Sequence, residues 1–170
     1  MAADDRDNTD QPEYAPGTVA VFQVPDPAPI RPDGGSSHMI GVIVATHQHG
    51  GRTWVNLVAA HSTPEMASDH DVVVQGATPF PLVLMSECYA QAWADQIVRT
   101  LGTIPADALT ASRRALADDG EAAVAYNSAH SPHGAMLPYT GPTDPRWAWV
   151  ENWLPALVAL SSPVRSVLLG

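Results

Sequence analysis

The chain has 170 residues and a formal net charge of -10, from Asp+Glu 18 against Lys+Arg 8, and every basic residue is an arginine. Such a balance opposes attraction to phosphate backbones and anionic membrane surfaces, and argues against DNA as a partner. A single cysteine, Cys88, excludes an intramolecular disulfide, and no apolar run reaches the roughly 18 residues that a membrane span needs.

Residues 1–15 are polar and acidic without periodicity, and are expected to form a disordered tail. With no apolar signal segment at the start, the expected location is cytoplasmic. After the Pro16-Gly17 turn, Thr18–Val24 alternates as a strand. Pro25–Ser37 holds four prolines and Gly34-Gly35, which prevents a regular element and predicts an exposed loop. The centre of the chain is Met39–Thr63. Two apolar, β-branched runs, Ile40–Ala45 and Trp54–Ala60, flank a polar tip with Gly50-Gly51, the pattern of a β-hairpin. Apolar residues at consecutive positions within these runs predict strands covered on both faces.

Asp71–Gln75 and Phe80–Met85 read as further strands, with Pro81 suggesting an edge or a strand entry. From Ser86 the spacing of Ala90, Trp93, Ala94, Ile97, Val98 and Leu101 predicts a helix stopped by Gly102. Pro105 opens another helix to about Ala117, with Leu109 and Leu116 facing inward. Glu121–Tyr126 either prolongs it or forms a short helix, and Asn127–Thr143 reads as loop. Asp144-Pro145 is a cap-plus-first-turn signal for a tryptophan-rich helix that Pro155 should kink or interrupt. Its stripe of Trp147, Val150 and Leu154 lies beside a second stripe of Trp149 and Trp153, and one of the two is expected to face a partner. Pro163–Leu169 reads as a last strand or a docked extension. The fold class expected is mainly β with C-terminal helices (α+β), and about five strands are expected within 16–118.

The order of elements, together with Pro16-Gly17-Thr18-Val19, Ile43-Val44-Ala45, Val58–Thr63 and Leu101-Gly102-Thr103-Ile104-Pro105, resembles the MazF/PemK family of toxin ribonucleases. The resemblance implies a small SH3-like barrel over 16–118, with 119–170 as a helical C-terminal extension, and a homodimer. It also implies a metal-independent cleavage site for RNA. The family's Arg-Pro at the start of the central strand is replaced here by Met39-Ile40, preceded by His38, and the nearest Arg-Pro is Arg31-Pro32. The site that the resemblance implies therefore has His38 as acid/base, Arg31 or Arg52 on the phosphate, and Ser62 or Thr63 as hydrogen-bonding support.

Other constellations have plainer readings beside them. His47 and His49 share a strand face as two metal ligands would, or simply lie at a solvated tip. His61, Ser62 and Asp69 or Asp71 contain the types of a nucleophilic site without its geometry. Cys88 is a helix-start thiol or a buried apolar one. His130 and His133 are loop histidines or ligands. No cofactor or metal is expected. The leading functional reading is a degenerate, non-catalytic, protein-binding member of the MazF/PemK-like class. The alternative is an endoribonuclease of toxin-antitoxin type, with a phage or accessory structural protein as a third. A protein partner or homodimer is expected, and RNA is a possible ligand.

Overall fold

The computed structural model describes residues 14–25 and 37–170, so the expectations for the acidic tail and for most of the proline loop, Arg31 included, lie outside the described residues. Strand β1 (Thr18–Val24) leads to the hairpin of β2 (Ser37–His49) and β3 (Arg52–His61). Gly50 and Gly51 take φ of 56° and 78°, left-handed at both central positions as a two-residue hairpin turn requires, and His49 pairs with Arg52 across them. Strands β4 (Val72–Val74), β5 (Leu82–Trp93) and β6 (Ile97–Thr103) complete an antiparallel sheet of order β4-β5-β3-β2-β1-β6. Pro81 stands just before β5, an inner strand, so it marks a strand entry.

Helices α1 (Ala106–Ala115) and α2 (Glu121–His130) cover one face, and α3 (Pro145–Glu151) and α4 (Leu154–Leu169) follow. The protein is thus α+β and mainly β, with C-terminal helices. Among the described residues the sheet does not close by hydrogen bonding, since β4 and β6 remain its edges. Its two ends nevertheless approach each other, because a Cβ on Gly102 of β6 would run into the backbone carbonyl of Ala77, just after β4. Only glycine fits that crossing.

Two apolar layers explain why the hairpin strands lack alternation. Val19, Val42, Val58, Val72 and Leu84 pack with Ala108 and Leu109 of α1 and Tyr126 of α2. On the other face, Phe22, Ile43, Leu57 and Ala90 pack with Leu157 and Leu160 of α4. The C-terminal residues therefore help build both layers. Burying a large apolar side chain contributes about 1.5–3 kcal/mol, so α4 is held by its inner stripe rather than by helix propensity. Asn127 of α2 protects the β4 edge: its Oδ1 accepts from Val73 N at 2.9 Å and its Nδ2 donates to Asp71 O at 2.8 Å.

The helix predicted over Ser86–Leu101 is absent. These residues continue β5, make a 3-10 turn at Ala94–Gln96, and return as β6. The competing pattern was the alternation of buried Cys88, Ala90 and Ala92 with outward Glu87, Tyr89 and Gln91. Pairing with β3, as in Leu57↔Ala90 and Trp54↔Trp93, decides between the two periods. Between Val58 and Ala60 the partners step from Tyr89 to Leu84, and this bulge carries the even-numbered residues of β5 from one apolar layer, with Leu84, to the other, with Ala90.

Smaller differences follow farther on. Leu116 lies past the end of α1 and is exposed rather than inward. Glu121 opens a separate helix that extends to His130, into the stretch read as loop. Asp144 caps α3 by accepting from Arg146 N at 2.9 Å. Pro155 falls in the first turn of α4, where its missing N–H costs nothing, so of the two expected effects it is the interruption, between α3 and α4, that is seen. Pro163–Leu169 is helical, with Pro163 inside α4.

Candidate functional site

His38, Ser62 and Thr63 of the expected cleavage site fall at one end of the β2–β3 pair. The ladder's last pair is Ile40↔Ala60, which brings His38 and Ser62 to the same end of the sheet. Both are exposed, and Thr63 is half-buried. Among the described residues no hydrogen bond joins His38 to Ser62 or Thr63; the Thr63 N–H instead donates to His61 Nδ1 at 3.1 Å. Arg52 cannot serve this end. It sits at the hairpin tip, roughly 30 Å of strand away at about 3.3 Å per residue. There its guanidinium stacks 3.7 Å over Trp93 and its Nη2 lies 3.4 Å from Asp95.

His61 faces the opposite layer. It is 5% exposed, lies against Trp149 of α3, and has Trp153 next to it at 6.4 Å. Because Nδ1 accepts the Thr63 N–H, the ring proton sits on Nε2, which has no hydrogen-bond partner among the described residues. Burial pushes the imidazole down to about 4. A neutral histidine in an aromatic box is a packing residue, so His61, Ser62 and Asp71 do not form a nucleophilic site.

Asp71 lies elsewhere, in a buried polar pocket that sequence reasoning did not assemble. Its Oδ2 accepts from Ser68 N at 2.9 Å, and burial pushes its carboxyl up to about 7. Cys88, on β5 rather than at a helix start, is pushed up to about 12 by burial and by the nearby Asp71 and Glu87. Tyr139 is also pushed up to about 12, first by burial and then by Asp71. At the rim, His70 contacts Asp69 and Asp119, each at 3.0 Å, with Glu87 at 3.6 Å. Burial alone would lower His70, but these acids outweigh it and raise it. The Asp69-His70-Asp71 triplet was a legible signal for this cluster; nothing in the sequence joined it to Tyr139. Among the described residues, no group of three or more His, Cys, Asp or Glu has the arrangement to hold a metal ion.

The remaining histidines are engaged singly. His47 Nε2 meets Asn56 Nδ2 at 2.9 Å and its ring stacks on Trp54, which separates it from His49 in role. His130 Nδ1 approaches Tyr126 O at 3.0 Å with its ring stacked on Tyr126. His133 lines a separate hollow of about 310 Å³ beside Arg146.

The C-terminal helices carry an apolar surface that no described residue covers. Trp149 and Trp153 turn toward the protein's own His61, and Trp147 meets Tyr139 edge-to-face at 5.3 Å. The outer side of α4 leaves Leu154 48% and Val158 65% exposed. An open groove of about 640 Å³ runs along Glu151, Leu154, Pro155, Val158, Ala159 and Ser162. It continues past Ala159 and Ser162 into a second hollow of about 350 Å³ that reaches Pro25.

No protein-family model matches the chain, and no curated protein matches it. Among the described residues no helix is long and apolar enough to cross a membrane.

Proposed function

We propose that this protein is a non-catalytic binding module of MazF/PemK-like type, acting in the cytoplasm by docking another protein on the outer face of α4. The observation that carries this reading is the groove along Leu154, Pro155 and Val158, because α4 is apolar on the side facing water as well as on the side facing the sheet. An apolar stripe left facing water on an otherwise packed helix marks a contact surface. The candidate chemical groups point the same way. His61 and Cys88 are buried, and burial holds one as a neutral ring and the other as a thiol.

The second reading is a metal-independent endoribonuclease, favoured by His38 and Ser62 sharing one end of the β2–β3 pair. One pair of measurements separates the two. The full chain, incubated with RNA of mixed sequence without added metal, should leave it intact. Cleavage that disappears in both His38→Ala and Ser62→Ala would replace the binding reading with the enzyme. In parallel, a photoreactive phenylalanine analogue placed at Val158 should give a protein adduct on irradiation in cell extract. An absence of any adduct would sink the binding reading.

A further inference from the structure

The outer face of α4 has a charge order that is complementary to itself. Glu151, Leu154, Val158, Ser162 and Arg165 follow one another at three- or four-residue steps, which places them on one stripe. Glu151 lines the same groove as Leu154 and Val158, so the stripe runs across the short break between α3 and α4. Between Glu151 and Arg165 the sequence has no charged residue at all, in a chain of net charge -10. Ser162 does not interrupt the apolar character, since its hydroxyl donates to Val158 O within the helix at 2.8 Å. Arg165 uses its Nε on Gln91 Oε1 at 3.2 Å and makes no other hydrogen bond among the described residues, which leaves its Nη donors for a partner.

The stripe is symmetric about Val158. Seven residues before it stands the acid, seven after it the base, and Leu154 and Ser162 lie four to either side. Two such helices packed antiparallel about a two-fold axis at Val158 would set Val158 on Val158, Leu154 on Ser162, and Glu151 of each copy on Arg165 of the other. That is the reciprocal pairing of an isologous interface. We propose that the outer face of α4 is the contact between two copies of this chain. This rests on the binding reading above and names its partner.

The occupant is argued from charge. Two copies carrying -10 each repel one another over most of their surfaces, so they can meet only where acidic groups are absent or countered. The stretch from Leu154 to Val164 has no acid, and the single acid and single base at its ends satisfy each other. A basic partner would find one glutamate there. An acidic partner would find one arginine. Asn152 and Trp153, between α3 and α4, keep right-handed helical backbone angles, so the contact spans about 21 Å from Glu151 to Arg165 at about 1.5 Å per residue.

The test is mass in solution against concentration for the full chain, by sedimentation, with circular dichroism confirming that each exposed-site variant stays folded. A dimer is expected. Val158→Asp places two carboxylates on the axis and should weaken it roughly a hundredfold. Glu151→Arg and Arg165→Glu should each weaken it about tenfold, since each turns two attractive pairs into two repulsive ones. The double variant Glu151→Arg/Arg165→Glu should restore it. A chain that is monomeric throughout, a Val158→Asp dimer as tight as the parent, or a double variant as weak as the singles would each overturn the proposal. A monomer whose photoreactive position 158 still captures a different protein overturns self-pairing while leaving the binding reading intact. A monomer with no adduct overturns both.

Discussion

The imidazole of His61 stands edge-to-face against the indole of Trp149, with ring centroids 4.4 Å apart and planes at 84°. This contact joins the end of β3 to α3, so the helix that precedes the exposed α4 surface is seated on a residue that titrates. A free imidazole titrates at about 6.5, and burial lowers His61 to about 4 in the fold. Between those values the unfolded chain binds the proton and the folded chain does not. Stability therefore rises with pH across that window and is lost as pH falls through it.

His61→Phe should remove this acid sensitivity. Measured by thermal unfolding from pH 7 down to pH 4, the parent should lose up to about 3 kcal/mol that the variant retains. The difference between the two profiles is the quantity of interest, because the variant also gives up the bond from Thr63 N. Parallel profiles would mean that His61 is not buried as a neutral ring.

Asp71 works in the opposite sense. Its carboxyl moves from 3.8 to about 7, so between those values the folded chain binds the proton and the unfolded chain has lost it. Its contribution to stability is present below 3.8 and falls as pH rises toward 7. Asp71→Asn keeps an oxygen for Ser68 N and removes the titration. The variant should unfold several degrees higher than the parent at pH 8, and the two should converge near pH 4. A variant less stable at pH 8 would show that Asp71 is favourably ionised in the fold.

Arg146 ties the segment before α3 to the rest of the molecule. Its Nη groups donate to Ala67 O at 2.9 Å, Leu137 O at 2.8 Å and Pro138 O at 2.6 Å, while Nε and Nη2 grip the Asp144 carboxylate, which is held well below the usual carboxylate range. A lysine cannot reproduce that fork. Arg146→Lys should lower the melting temperature by roughly 5–10 °C and open residues 131–143 to proteolysis. Unchanged protease resistance would show that the segment is held by other contacts.

Local chemistry decided much of the fold. Gly50-Gly51 between two β-branched runs admits only a tight hairpin, because left-handed φ at both positions is cheap for glycine alone. The Asp144-Pro145 cap and the break at Pro155 are equally local, since a missing N–H and a side-chain acceptor act within one helical turn. His38 and Ser62 were placed at one end of the sheet by the hairpin register alone.

Tertiary structure decided the rest where one sequence served two periods. Ala90 and Trp93 fit a helix stripe as well as a strand, and only pairing with Leu57 and Trp54 of β3 chose the strand. Long-range burial also decided the titrating groups. Asp71, Cys88 and Tyr139 are far apart in sequence, and their shifts arise from the shared low-dielectric pocket that folding creates around them. The tryptophans show both levels at once. Two stripes on the C-terminal helices could be read from spacing, but packing of Leu157 and Leu160 on the sheet seats α4 so that Trp149 and Trp153 meet His61 while Leu154 and Val158 face outward.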